Sequence, residues 1–295
     1  MATTRAGFAQ LIAPGIMHVI FEKLKEHPEE YSQFLNVETS DSAYDEDQVV
    51  AGLGLARKKL EGEPITYDDP IQGGSKRYIH EAYALAWQIT KEMIDDEKYG
   101  IMKKIPGELA KSCRQTWEQI GANVLNAAFA TVTTVDGATF FNTAHPLLGG
   151  GSYSNMLSPA ADLSLTALQD IFILAEYMPN ERGLLMRMSL DNLWIPPDLQ
   201  FQAAKILQSQ FEPFTGENQI NPLMGRLTPA VLHFLTATNH WFVSSNEYND
   251  AKFKWRNKPE VASQDDFDTM GTKHRIYFRV SAGVTDWRGW VGSNP

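Results

Sequence analysis

The longest stretch of helical periodicity lies at residues 105–131, near the middle of the chain. Apolar residues recur there at three- and four-residue spacing, which places them on one face of a helix. That face comprises Ile105, Leu109, Cys113, Thr116, Trp117, Ile120, Val124 and Ala127. The opposite, polar face comprises Lys111, Gln115, Glu118 and Gln119. The pattern predicts one long helix at 105–131 that buries Trp117 and pairs Arg114 with Glu118 one turn later.

Alternation of apolar and polar positions predicts strands before this helix. Residues 77–89 alternate strongly, as is typical of a half-buried strand. Two shorter β-like runs within 36–76, one at 49–55 and one at 65–67, flank the basic cluster Arg57, Lys58 and Lys59. Because two strands alone are marginally stable in water, we expect an extended hairpin that projects and is stabilised by something outside it.

The remaining pattern mixes helices and strands. Helical patterns occupy 89–100, 164–178, which Ser164 would cap, and 198–211, and a strand is predicted at 190–195. The last seventy or so residues are strand-like, and Ile276, Phe278 and Val280 alternate there with polar neighbours. Residues 1–35 are helical in pattern but broken by Pro14 and Gly15, so we expect an arm that packs on a partner. Because no βαβ repetition appears, the order predicts an α+β fold.

Composition excludes several functional classes. The formal net charge is −10, which argues against a nucleic-acid-reading module, although an acidic wall can still enclose DNA. The single cysteine, Cys113, excludes an intrachain disulfide and a Cys-based zinc site, and its apolar neighbours predict a buried thiol. No apolar run suits a signal peptide or a bilayer span. We therefore expect a soluble protein made in a cytoplasm.

The candidate chemical motifs are weak. The segment GLGLAR at 52–57 lacks the third glycine of a dinucleotide fingerprint, and the glycine-rich turn at 149–152 lacks a phosphate-loop lysine. His145 lies beside Thr143 in a proline-bounded loop, which favours a histidine that fixes the loop over a catalytic base. We predict no catalytic residue, no cofactor and no metal ligand.

Three stretches carry a resemblance to a known family. They are residues 87–129, the loop DGATFFNTAHPLLGGGSYSNM at 136–156, and RVSAGVTDWRGW at 279–290. Together with the order of elements they resemble the Mu-like major head subunits of tailed phages, which share the Hong Kong 97 capsid fold. The loop, with its Asp-Gly, Phe, His-Pro and Asn positions, is the most specific of the three.

The resemblance implies a division of the chain. Residues 1–35 would be an N-terminal arm and 36–76 an extended E-loop. A peripheral domain would comprise 77–134 and 251–295, with the helix at 105–131 as its spine. Residues 135–250 would form the axial domain around the five- and six-fold axes.

The resemblance also implies a function and partners. The chain would self-assemble as hexamers and pentamers into an icosahedral virion head around double-stranded DNA, without sequence-specific binding or a membrane. Partners would include a separate scaffolding protein, a portal and decoration proteins, with synthesis in the host cytoplasm. At the tip of the E-loop, Arg57, Lys58 and Lys59 would contact a neighbour's acidic cluster, which comprises Asp95, Asp96 and Glu97.

Two alternatives stay open at this point. An encapsulin-like compartment would share the fold but enclose a protein cargo. A soluble hydrolase would use His145 as its base.

Overall fold

The computed structural model describes residues 29–90, 92–93, 96, 104–212, 219–266 and 270–295. Most of the predicted arm and most of the predicted helix at 89–100 lie outside these residues. In chain order the elements are α1 (Tyr31–Phe34), β1 (Asn36–Thr39), β2 (Tyr44–Ala51), β3 (Ile71–Ile79), β4 (Glu81–Ile89), α2 (Ile105–Asn126), β5 (His145–Pro146), β6 (Ser152–Tyr153), α3 (Leu165–Glu176), β7 (Asn192–Ile195), a 3₁₀ turn (Pro197–Leu199), α4 (Gln200–Gln208), β8 (Thr228–Val231), β9 (Trp241–Ser244), β10 (Ala251–Asp265), β11 (Thr272–Val284) and β12 (Trp290–Ser293).

The chain forms two compact units. The first contains the described residues within Met1–Tyr44, Ile79–Gly121 and Phe253–Ser281. The second contains those within Asp45–Tyr78, Ala122–Lys252 and Ala282–Pro295. Each unit has its own four-stranded sheet, so the mixed α+β architecture predicted from the pattern is present in both.

The sheet of the first unit has the strand order β1-β10-β11-β4. Strands β11 and β4 are antiparallel, with Phe278 opposite Tyr83. The apolar alternation in β11 is confirmed, because Ile276, Phe278 and Val280 are all buried. These residues, together with Phe253 and Trp255 on β10, are part of the sheet's contribution to the core of this unit.

Helix α2 provides the other part of that core. The Trp117 side chain is 4% exposed, as the periodicity predicts. Its ring meets the rings of Trp255 and Phe278 edge-on, with centroids 5.6 Å apart in both pairs. The helix ends at Asn126 instead of Thr131, because the backbone tightens there and Ala128 donates to Leu125, only three residues back.

The polar face predicted for α2 is wrong at Glu118. This side chain is buried, accepts hydrogen bonds from the backbone N–H groups of Glu30 and Tyr31, and pairs with Arg114 at 3.1 Å. The chain before α1 therefore covers this part of the helix. A Cβ on Gly121 would come within 2.6 Å of the Tyr31 Cβ, so glycine permits this close approach.

The second unit is built on the sheet β12-β9-β7-β8. Strands β7 and β8 are parallel, whereas the pairs β12 with β9 and β9 with β7 are antiparallel. Its core is rich in aromatic side chains, with the Phe141 ring stacked near those of Phe129, Phe140 and Phe242. Helix α3 begins as predicted, since Ser164 Oγ accepts the Ala167 N–H at 3.1 Å. The helix predicted at 198–211 is shorter, comprising the 3₁₀ turn and α4.

Two strand predictions need correction. The run at 77–89 is two strands, because the chain changes pairing partner at His80: β3 pairs with β2, and β4 pairs with β11. The alternation continues across the one-residue break, so the pattern does not reveal it. The hairpin ladder lies at β2 and β3, while residues 52–70 form no strand, since glycine and proline interrupt them.

Candidate functional site: the 52–70 segment and the His145 loop

The segment at 52–70 is the most exposed described part of the chain. Every residue in it is exposed except Gly54, which is half-buried. Leu55 and Tyr67 are 79% and 91% exposed, and Leu53, Leu60 and Ile65 are also open to solvent. Large apolar side chains exposed together in this way are typical of an interaction surface.

The predicted contact residues lie partly in this segment. The 52–70 segment has two limbs, one that leaves β2 at Gly52 and one that returns to β3 at Pro70. Arg57, Lys58 and Lys59 are all exposed and lie at the tip between these limbs. Asp96 is described and exposed, whereas Asp95 and Glu97 lie outside the described residues. The role of the six residues in contacts between subunits therefore stays a prediction.

The stem of the hairpin is fixed by a polar network. Asp47 on β2 accepts from Lys252 at 2.7 Å and from Thr285 at 3.1 Å. The Thr285 hydroxyl also bonds the Tyr78 hydroxyl on β3 at 2.7 Å. Lys76 on β3 donates to the Thr133 carbonyl at 2.8 Å. Both strands of the stem are thus tied to the body of the second unit.

Arg182 makes a second attachment further along the segment. Its Nε donates to the Gly52 carbonyl at 3.0 Å, and Nη1 pairs with Asp68 at 3.3 Å. Nη2 donates to the Asp69 carbonyl. The Gly54 N–H, and after it the Arg182 guanidinium, lower the pKa of Asp68 against the opposing effect of burial. One guanidinium therefore contacts both limbs of the segment.

The turn that carries Arg182 is itself held from beneath. Arg288, 3% exposed, pairs with Glu181 at 2.7 Å and donates to the Pro179 carbonyl at 2.9 Å. The second Glu181 oxygen accepts the Leu148 N–H at 3.1 Å. Buried charges that are paired and hydrogen-bonded in this way hold a backbone in one position. The turn at 179–185 is thus a fixed support.

His145 lies at the centre of the loop that carries the family resemblance. The side chain is 0% exposed, and its Nδ1 lies 2.6 Å from Asp136 Oδ2. Its Nε2 lies 3.1 Å from Asn155 Oδ1, and its ring stacks on Trp287 with centroids 4.3 Å apart. Asn155 Nδ2 donates to the Phe140 carbonyl at 2.7 Å. The histidine therefore links Asp136 and Asn155, at the two ends of the loop, to Trp287, which lies just before β12.

This arrangement does not suit a catalytic base. A general base needs a nitrogen that can reach a substrate, and both ring nitrogens of His145 are engaged with buried partners. Thr143, the hydroxyl considered as its nucleophile, is exposed and lies outside this network. The geometry matches the prediction of a loop-fixing histidine.

The other described side chains and helices likewise form no reactive thiol, metal site or bilayer span. Burial raises the pKa of the Cys113 thiol to about 11, which makes it an inert core residue. Among the described residues no group of His, Cys, Asp and Glu side chains could hold a metal ion. None of the described helices has the length and apolarity needed to cross a bilayer.

Sequence reasoning missed Arg182 and Arg288. The run Pro179, Asn180 and Gly183 around Arg182 is a turn signature that places a charged pair at its tip. Arg288 lies between two tryptophans, a setting that favours a buried guanidinium over a solvated one. Neither signal identifies the distant partner.

The comparisons with known proteins agree with this architecture. A family model described as phage capsid protein matches residues 75–293, well over half of the chain. The chain therefore belongs to the phage capsid protein family, and the predicted role as major capsid protein of a bacteriophage head is confirmed. The match is to this family as a whole, so the Mu-like subfamily stays a prediction. None of the curated proteins compared matches the chain.

Solved structures of phage proteins share the fold. The capsid of cyanophage P-SCSP1u matches with a TM-score of 0.60 and 12% identity, over 90% of this chain and 87% of that chain. A protein of Microbacterium phage Oxtober96 matches with a TM-score of 0.57 and 10% identity, over 91% of each chain. The procapsid of bacteriophage JBD30 gives 0.55 and 13%, over 98% and 75%. The prediction of a Hong Kong 97-type capsid fold is confirmed.

Proposed function

We propose that this capsid protein assembles as hexamers and pentamers around double-stranded DNA, with the 52–70 segment joining neighbouring subunits. The observation that carries the proposal is the exposure of large apolar side chains on a segment whose stem is fixed. Leu55 and Tyr67 stay open to water within the single chain. A neighbouring subunit that covers them would gain the free energy of apolar burial.

The basic tip gives this contact its direction. Arg57, Lys58 and Lys59 form a dense positive cluster in a chain of net charge −10. We propose that they meet the acidic cluster Asp95, Asp96 and Glu97 of a neighbour. Exposed ion pairs add little affinity each, but charge complementarity guides register and association. The alternative role of the tip is a solvated turn that keeps the segment soluble.

The domain division carries over as part of the proposal. Residues 1–35 would form the arm, 36–76 the E-loop, 77–134 with 251–295 the peripheral domain, and 135–250 the axial domain. Support comes from the clustering of Ile79–Gly121 with Phe253–Ser281 in one unit. Residues 122–134 and Ala282–Pro295 cluster instead with 135–250 in the other unit.

Further partners and the absence of enzymatic activity belong to the same proposal. We expect a separate scaffolding protein, a portal and synthesis in the host cytoplasm. Decoration proteins are supported by the JBD30 capsid, which is described as decorated with minor capsid protein trimers. The burial and full engagement of His145 support a structural role for this residue instead of catalysis.

Reversal of the tip charges tests the docking role. Replacing Arg57, Lys58 and Lys59 together with Glu should block or misdirect assembly without unfolding the subunit. Raising salt toward 1 M should weaken wild-type assembly, because screening then acts within about 3 Å. Shell formation would be followed by sedimentation and negative-stain electron microscopy.

A matched control keeps the same change in net charge but scatters it. The control variant carries Glu at Lys205, Lys258 and Arg275, all of which are exposed and distant from the tip in sequence. Assembly should survive in the control. Normal shells from the tip reversal, with unchanged salt dependence, would leave only the solubility role for the tip.

A further inference from the structure

Arg182 contacts the 52–70 segment at the points where its two limbs leave the stem. One limb is held through the Gly52 carbonyl, and the other through the Asp68 carboxylate and the Asp69 carbonyl. Asp68 Oδ2 in turn accepts the Gly54 N–H at 2.7 Å, which joins the limbs to each other. The contacts therefore form a closed set around one guanidinium, and residues 55–67 extend beyond it.

The geometry at this point leaves little slack. A Cβ added to Gly54 would lie 3.2 Å from Asp68 Oδ2, so the limbs approach each other closely. Gly183, with φ +80°, and two hydrogen bonds to Asn180 Oδ1 shape the turn that presents Arg182. That turn is anchored by the buried Arg288 through Glu181 and Pro179. These contacts connect the limbs, through Arg182 and its turn, to the buried core of the second unit.

We propose that Arg182 is a positioning residue that sets the direction of the 55–67 tip before a subunit meets its neighbour. The proposal rests on the proposed docking role of the tip. A loop that is already ordered in its bound direction loses less conformational entropy when it docks. Arg182 acts through the segment and not through a contact of its own with the neighbouring subunit.

A planar guanidinium is needed for this role. The three contacts are made by three different nitrogens of one rigid group, Nε, Nη1 and Nη2. A lysine ammonium can pair with Asp68 but cannot reach all three oxygens in that fixed geometry. The substitution Arg182→Lys therefore keeps the positive charge but removes the planar group that makes the three contacts.

A distance measurement within one subunit tests the proposal. Spin labels would be attached at Lys59→Cys on the tip and Glu176→Cys at the exposed end of α3, both in the second unit. The native Cys113 is buried and its thiol pKa is raised to about 11, so it stays unlabelled. Labelled subunits would be kept below the concentration for assembly and diluted with unlabelled protein, so that only intrachain distances are read.

With Arg182 present, the distance distribution should show one narrow peak. Arg182→Ala should lose that peak and give a broad distribution, and Arg182→Lys should also broaden it. Asp68→Asn, which keeps an acceptor for the Gly54 N–H but removes the charge, should give an intermediate width. Arg226→Ala is the control, because the Arg226 guanidinium packs over the Phe172 ring and not against Gly52, Asp68 or Asp69. Near-ultraviolet circular dichroism would verify that each variant is folded.

An unchanged narrow peak in Arg182→Ala would overturn the proposal, as would equal broadening in Arg226→Ala. This result is independent of the docking role. If Arg182→Ala broadens the distribution while the charge-reversed tip still assembles normally, Arg182 positions the segment but the basic tip does not dock. If the tip reversal blocks assembly while Arg182→Ala keeps the narrow peak, docking stands and the positioning role of Arg182 is lost.

Discussion

Replacement of Trp117 by Ala is the most direct test of the core of the first unit. The indole lies between α2 and the sheet, 4% exposed, with Trp255 and Phe278 meeting it edge-on. The Arg114 guanidinium lies over the same ring, 5.5 Å from its centroid. Removal of this side chain takes away its ring contacts with Trp255 on β10 and Phe278 on β11.

The expected loss can be estimated from area and geometry. A buried tryptophan removes about 150–250 Å² from water, which at about 25 cal/mol per Å² contributes roughly 4–6 kcal/mol. Each edge-to-face pair adds about 0.5–1.5 kcal/mol. Among the described residues the indole Nε1 has no hydrogen-bond partner, which offsets about 1–3 kcal/mol. Because alanine also keeps part of the buried area, we expect a net cost of about 3–5 kcal/mol for Trp117→Ala, the usual range for such core changes.

Thermal unfolding of the unassembled subunit measures this loss. At about 2–4 °C per kcal/mol for a chain of 150–250 residues, Trp117→Ala should lower Tm by roughly 6–20 °C. Scan rates must be matched, because large chains often unfold irreversibly. Trp117→Phe keeps an aromatic ring and removes the unpaired N–H, so it should cost only about 1–2 kcal/mol. Equal Tm values for all three proteins would show that Trp117 does not pack as described.

Two further predictions concern buried carboxylates. Glu118→Ala should cost about 3–5 kcal/mol by thermal unfolding, because it breaks the buried pair with Arg114 and leaves the Tyr31 N–H without its acceptor. Glu118→Gln keeps an oxygen that can accept from Tyr31, so it should cost less. Burial raises the pKa of Asp136, but hydrogen bonds from His145, Thr134 and the Ala138 N–H outweigh it and leave this pKa below its ordinary value. The ionised form of Asp136 therefore stabilises the fold above about pH 4. The Tm advantage of wild type over Asp136→Asn should shrink as pH falls below that value. A constant Tm difference down to about pH 2 would contradict the lowered pKa of Asp136.

Local periodicity predicted the parts of the fold that one element determines by itself. The apolar face of α2, the alternation of β11 and the Ser164 cap of α3 each depend on residues within a few positions of one another. Such patterns encode which side of an element turns inward. They therefore predicted burial of Trp117 and the alternation around Phe278 without any knowledge of what covers these side chains.

The errors arose where a distant segment decides the environment. Glu118 lies on a face that is polar in sequence, but residues 29–31 cover it and supply two backbone donors. Arg182 and the limbs it contacts are more than a hundred positions apart, and nothing local in either stretch indicates the other. Likewise His145 could be placed in a fixed loop, but its stacking on Trp287 depends on the return of the C-terminal strands.

The composition of the 52–70 segment explains why charge reversal tests docking better than removal of charge. The segment has exposed apolar side chains and backbone groups outside any strand ladder, which is the setting that invites indiscriminate pairing with other chains. Charged residues such as Arg57, Lys58 and Lys59 oppose that aggregation whatever their sign. Alanine at these positions would remove protection and docking together, and failed assembly could then result from aggregation alone. Glutamate keeps the segment charged and changes only the sign presented to a neighbour, so a block in assembly identifies electrostatic recognition.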